Sequence, residues 1–118
     1  MKSIDPQRFE EVWAEDRDVL RNLRNNGDIP SIPREIDVSF RGSVASLRAL
    51  ASACGNFGFE VQRRIEADEN GEPWLFIVRT QAADEESIRE LTVTYLQIED
   101  AFKVRCDGWG CIGQTEQS

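Results

Sequence analysis

The chain has 118 residues, 40% of them apolar and 31% charged, the size and make-up of one soluble domain around a single core. Acidic residues outnumber basic ones 22 to 14, and the net charge of −8 argues against binding nucleic-acid phosphates or an anionic lipid surface; it suits a basic partner, or plain solubility. There is no histidine, which excludes Ser-His-Asp and Cys-His nucleophile systems and the usual histidine-bearing metal sites, and three cysteines make no disulfide framework.

The N-terminal Met1-Lys2-Ser3-Ile4-Asp5-Pro6 lacks the apolar core of a signal peptide, and reduced thiols fit a cytoplasmic protein. Asp5 and Pro6 suit the N-cap and first position of a helix over 6–25, which Gly27 stops. Phe9, Trp13, Leu20 and Leu23, helped by Val12 and Val19, form its apolar stripe. Its acids (Glu10, Glu11, Glu15, Asp16, Asp18) precede its arginines (Arg17, Arg21, Arg24), an order that suits the helix dipole and reads as a solvated face. Pro30 and Pro33 then predict an extended, polyproline-like connector over 28–34.

From Glu35 to Arg41 the residues alternate, with Ile36, Val38 and Phe40 on the buried face of a strand. Ser43 can cap a second helix with Val44, Leu47, Leu50, Ala51 and Cys54 inside, and Gly55 and Gly58 bracket its stop. Phe59, Val61, Arg63 and Ile65 share one face of a second strand, whose many charges suit a sheet edge. Asn70-Gly71 is a hairpin signal. Trp74 to Val78, the longest wholly apolar run and far too short to span a bilayer, reads as a strand inside the sheet. Asp84, with Glu85 and Glu86, opens a third helix carrying Ile88, Leu91, Tyr95 and Ile98 at helical spacing. Phe102, Val104 and Cys106 alternate as a fourth strand, and 112–118 reads as a short polar tail.

A helix followed by βαββαβ predicts an α+β, ferredoxin-like sandwich with an antiparallel sheet in the order 4-1-3-2, its body spanning 35–111 of a single domain over 1–118. One sheet face is left open, for the N-terminal helix, a partner or a second copy.

Periodicity does not explain Arg105-Cys106-Asp107-Gly108-Trp109-Gly110-Cys111. Two readings compete. Asp107-Gly108 is a turn beside a core tryptophan, or the segment is a strand end that presents Trp109 and Asp107 to a partner's arginine. The topology predicts Asp107 and Trp109 near Glu35 and the start of the third helix. The expected partner surface is therefore Asp107, Gly108, Trp109 and Gly110 with Asp84, Glu85 and Glu86. Those carboxylates already serve as cap and turn residues, so no catalytic residue, metal site or cofactor is assigned and the chain reads as a non-enzyme. Cys106 and Cys111, in a C-x₄-C spacing, carry the alternative of a thiol redox pair.

Asp107-Gly108-Trp109-Gly110 after a short C-terminal strand resembles the end of the RraB family, regulators that inhibit ribonuclease E. Asn26-Gly27-Asp28, Ile36-Asp37-Val38-Ser39-Phe40 and Gly58-Phe59-Glu60-Val61 are similar too, so the resemblance covers nearly the whole chain. Cys106 departs from it, standing where an aromatic is common. The resemblance implies a ferredoxin-like fold and a non-catalytic protein. It implies binding to ribonuclease E, including its arginine-rich region, and reduced RNA cleavage without direct nucleic-acid contact. The expected assembly is a monomer or weak homodimer. A ferredoxin-like ligand-binding or self-associating module is the alternative.

Overall fold

The computed structural model describes residues 4–67 and 71–114. Helix α1 (Pro6–Asn25) starts where Asp5 accepts from the Gln7 amide and ends at Gly27, whose φ of 90° glycine tolerates best. Strand β1 (Arg34–Arg41) follows, then α2 (Val44–Ala53), capped by Ser43, and a single 3₁₀ turn (Cys54–Phe57). Strands β2 (Glu60–Ile65) and β3 (Trp74–Gln81) come next; the expected Asn70-Gly71 turn between them falls partly outside the described residues. Helix α3 (Glu85–Phe102), capped by Asp84, leads to β4 (Arg105–Cys111).

The four strands form one antiparallel sheet in the order β2-β3-β1-β4. Ile36, Val38 and Phe40 of β1 and Leu75 and Ile77 of β3 are at most 1% exposed and share a core with all three helices. The N-terminal helix therefore lies on the same side as the others and leaves the opposite face bare. It packs antiparallel to α3, with Arg8 on Glu99 at 3.1 Å and Arg17 on Glu85 at 3.8 Å. Among the described residues no helix is long and apolar enough to cross a membrane.

Several expectations need correction. The connector is not polyproline-like: it turns, with the Ile32 amide on the Ile29 carbonyl, around a buried ion pair in which Arg34 donates to Asp28 at 2.8 Å. Arg34 also donates to the carbonyls of Ile29 and Ile32, so the segment is organised by one guanidinium. Residues 112–114 are not a loose tail, because the Gln114 amide donates to Asp28 and its carbonyl accepts from Ile29. Val44 is 52% exposed, because it stands at the first position of α2 instead of joining its buried stripe. The fourth strand begins at Arg105, since α3 continues through Phe102 and ends with Lys103 in the left-handed region.

Candidate functional site

The Asp107-Gly108-Trp109-Gly110 segment is not a turn beyond a strand. It is β4 itself, paired along β1. Phe40 lies opposite Cys106 and Ser39 opposite Gly108, so Asp107 is one residue too many and forms a bulge. Gly108 absorbs it with φ of 127°, a conformation that side chains disfavour. The bulge puts Cys106, Trp109 and Cys111 on the helix side and Gly108 and Gly110 on the open side. Asp107 splays towards Arg41, at 3.3 Å.

Inside, Trp109 meets a carboxylate that the sequence placed on a solvated face. Asp16 of α1 is 5% exposed. Its Oδ1 accepts from the Trp109 indole at 2.9 Å, and its Oδ2 accepts from the hydroxyls of Tyr95 at 2.7 Å and Thr92 at 2.5 Å. One carboxylate thus ties α1 to α3 and β4. Burial, then the hydrogen bond and charge of Asp16, push the Tyr95 phenol far above its ordinary range, so it stays a donor. Beside this network Glu99 accepts from Arg8 and from the Cys106 amide at 2.8 Å. These contacts make the Trp109 ring a packing and locking element.

The seven residues expected to form one surface do not come together. Asp84 caps α3 by accepting from Ser87, Glu85 faces Arg17 and Glu86 is exposed, all where β3 ends opposite Arg34. Asp107 lies at the other end of β1, beside Phe40, roughly 20 Å away at strand rise. Trp109 sits between them, opposite Val38.

The redox alternative also meets a geometric obstacle. Cys106 and Cys111 lie opposite Phe40 and Ile36, so about 13 Å of strand separates them, where a disulfide needs Cα atoms within about 7 Å. Burial pushes the Cys106 thiol up to about 12 despite a backbone bond from Gly108, and burial also raises Cys111. Cys54 is a core residue, as expected, 3% exposed and raised by burial. Among the described residues no group of three or more His, Cys, Asp or Glu is placed to hold a metal ion.

The open face is built in cross-strand rows. Gly110, Asp37, Val78 and Glu60 form one, Gly108, Ser39, Phe76 and Arg63 the next, and Arg105, Arg41, Trp74 and Ile65 a third. Arg63 and Ile65 reach this face through a second bulge, after Val61, which corrects the expectation that Val61, Arg63 and Ile65 share one side. Trp74 and Phe76 stack at 5.9 Å and 10° between planes. Arg41 lies 4.9 Å over Trp74 and Arg63 4.4 Å over Phe76. The alternation of β3 signalled a two-faced apolar strand. It gave no sign that Arg63 would flank Phe76, because the β2 bulge intervenes.

A family model described as Regulator of ribonuclease activity B, RraB, matches residues 13–111. The match runs from Trp13 of α1 to Cys111 at the end of β4 and so includes all four strands, α2, α3 and the greater part of α1. No curated protein matches the chain.

Proposed function

The chain belongs to the RraB family, regulators of ribonuclease activity, and from that premise we propose that it is a non-catalytic inhibitor that binds a ribonuclease of the ribonuclease E type and slows RNA degradation. The family match over 13–111 is the observation that carries this reading. The charge supports contact with protein over contact with RNA, since −8 repels a polyphosphate and attracts an arginine-rich segment. The βαββαβ order and β2-β3-β1-β4 sheet support a ferredoxin-like assignment. The cytoplasm, where such a ribonuclease works, is the proposed location. We read the free protein as a monomer or weak homodimer, with Asp107 at the rim of the open face, paired with Arg41.

The test is a cleavage assay with purified ribonuclease E and a labelled RNA. Added protein should slow cleavage without shifting the RNA in a gel, and should co-sediment with the ribonuclease. Unchanged cleavage rates at saturating protein would refute the proposal.

A further inference from the structure

The open sheet face has no covering element among the described residues, although an apolar column runs down its middle. Trp74, Phe76 and Val78 are half-buried there, with Ile65 beside them 41% exposed. The charges are unevenly matched. At the Trp74 end Arg41 is answered by Asp107 at 3.3 Å and Arg105 by Glu72 at 2.7 Å, and in the middle row Arg63 lies over the Phe76 ring. At the Val78 end Glu35, Asp37 and Glu60 form no ion pair among the described residues.

The β4 half of this face is low. Gly108 and Gly110 point outward and carry no side chains. A Cβ built on Gly108 would meet nothing within 4 Å, and one on Gly110 would meet only the Asp37 carboxylate, at 3.6 Å. The result is a trough with a backbone floor. The Phe76–Val78 column walls it on one side, and an unpaired carboxylate lies in its bed.

We infer that this trough is the docking site for an extended basic segment of the protein partner, with arginine or lysine side chains set against Asp37 and Glu35 and its apolar residues against Val78 and Phe76. The inference rests on the proposed function for the identity of the partner, and assigns the surface and the chemistry it reads. Charge complementarity selects this occupant. An acidic strand, whether RNA or peptide, would meet three unanswered carboxylates. Among the described residues, the same face of a second copy could offer only Arg41, Arg105 and Arg63, which Asp107, Glu72 and the Phe76 ring already engage. Because the floor is glycine, the segment can lie close to the sheet, where desolvation strengthens each ion pair.

The experiment uses the whole protein and a short fluorescent peptide alternating arginine with valine, followed by anisotropy. Gly110→Leu fills the trough; this glycine has no left-handed φ and a Cβ added to it makes only ordinary contacts, so the fold should tolerate it. We expect Gly110→Leu to weaken binding roughly tenfold, as crowding of a packed contact does. Asp37→Asn should weaken it about threefold, with the difference vanishing at high salt. Glu11→Gln, on the exposed side of α1, should bind as the parent does. The inference is overturned if Gly110→Leu binds like the parent while folded by circular dichroism, if a glutamate-valine peptide or a single-stranded oligonucleotide binds as well, or if the parent sediments as a dimer that Gly110→Leu dissolves. The cleavage assay separates the two readings. A Gly110→Leu protein that inhibits ribonuclease E normally removes the trough and leaves the function standing, whereas a parent that never inhibits removes the function.

Discussion

Replacing Asp16 by alanine should be among the most damaging single changes in the protein. The carboxylate is 5% exposed and takes three hydrogen bonds, from Trp109, Tyr95 and Thr92. Thr92 has an alternative acceptor, the Ile88 carbonyl at 2.9 Å, so alanine strands two donors, not three. Each stranded buried donor costs about 1–3 kcal/mol. Two such donors span about 2–6 kcal/mol, and removing the carboxylate also relieves its own burial penalty, which pulls the total into the lower half of that span. The expected loss is about 3 kcal/mol, or roughly 12 °C in melting temperature for a domain of this size. Asp16→Asn keeps an acceptor for Tyr95 but turns an amide towards the Trp109 indole, so it should cost about 1–2 kcal/mol. Urea unfolding of Asp16→Asn, Trp109→Phe and the double mutant measures the coupling, expected at about 1 kcal/mol. A loss under about 1 kcal/mol for Asp16→Ala, or additive effects in the cycle, would refute the lock.

Two further outcomes follow from buried groups. Arg34→Met removes one partner of an ion pair that is 2% exposed on both sides and leaves Asp28 charged in the interior, so urea unfolding should show about 3–5 kcal/mol lost; an exposed-type loss below about 1 kcal/mol would contradict the pairing. The Cys106 thiol, raised by burial to about 12 from 9.0, favours the native state fully below about pH 9. There the unfolded thiol begins to lose its proton, so this contribution should fall as pH rises from about 9 to 12, by at most about 1.4 kcal/mol per unit. Denaturant titrations from pH 8 to 10.5 should therefore show a shallower decline for Cys106→Ala than for the parent, and native Cys106 should resist alkylation at pH 8 while Cys106 and Cys111 fail to cross-link under mild oxidant.

What the sequence showed and what it hid divide along physical lines. The bounds of α1 were legible because Asp5-Pro6 and Gly27 are local signals, and the elements follow one another in the expected order. Strand β3 was legible as an interior strand because Leu75 and Ile77 alternate with Trp74, Phe76 and Val78 without a polar break. The faces of β2 and β4 were not, because a bulge adds a single residue and reverses every side chain after it, and no period-2 reading detects that. Asp16 was hidden for a different reason. It stands among Glu10, Glu11, Glu15 and Asp18, and only tertiary structure brings Thr92, Tyr95 and Trp109 to it. The connector misled because the spacing of Pro30 and Pro33 says nothing of Arg34, whose buried guanidinium is the centre around which the segment turns.

The β4 bulge also explains how one short motif can carry both readings offered for it. Strand side chains alternate, so a ring that points at the helices forces its two neighbours outward. With Trp109 committed to Asp16, positions 108 and 110 must face the open side, and a side chain at 110 would stand in the trough beside Asp37. Glycine at both positions leaves that face low, while the Gly108 conformation accommodates the bulge that turned Trp109 inward. Packing and recognition are thus assigned to opposite faces of the same strand. The separation is measurable: Trp109→Phe should lower stability and leave peptide affinity per folded molecule unchanged, and Gly110→Leu should do the reverse. A Trp109→Phe protein that keeps its melting temperature but loses the peptide would place the indole at the interface and undo the assignment.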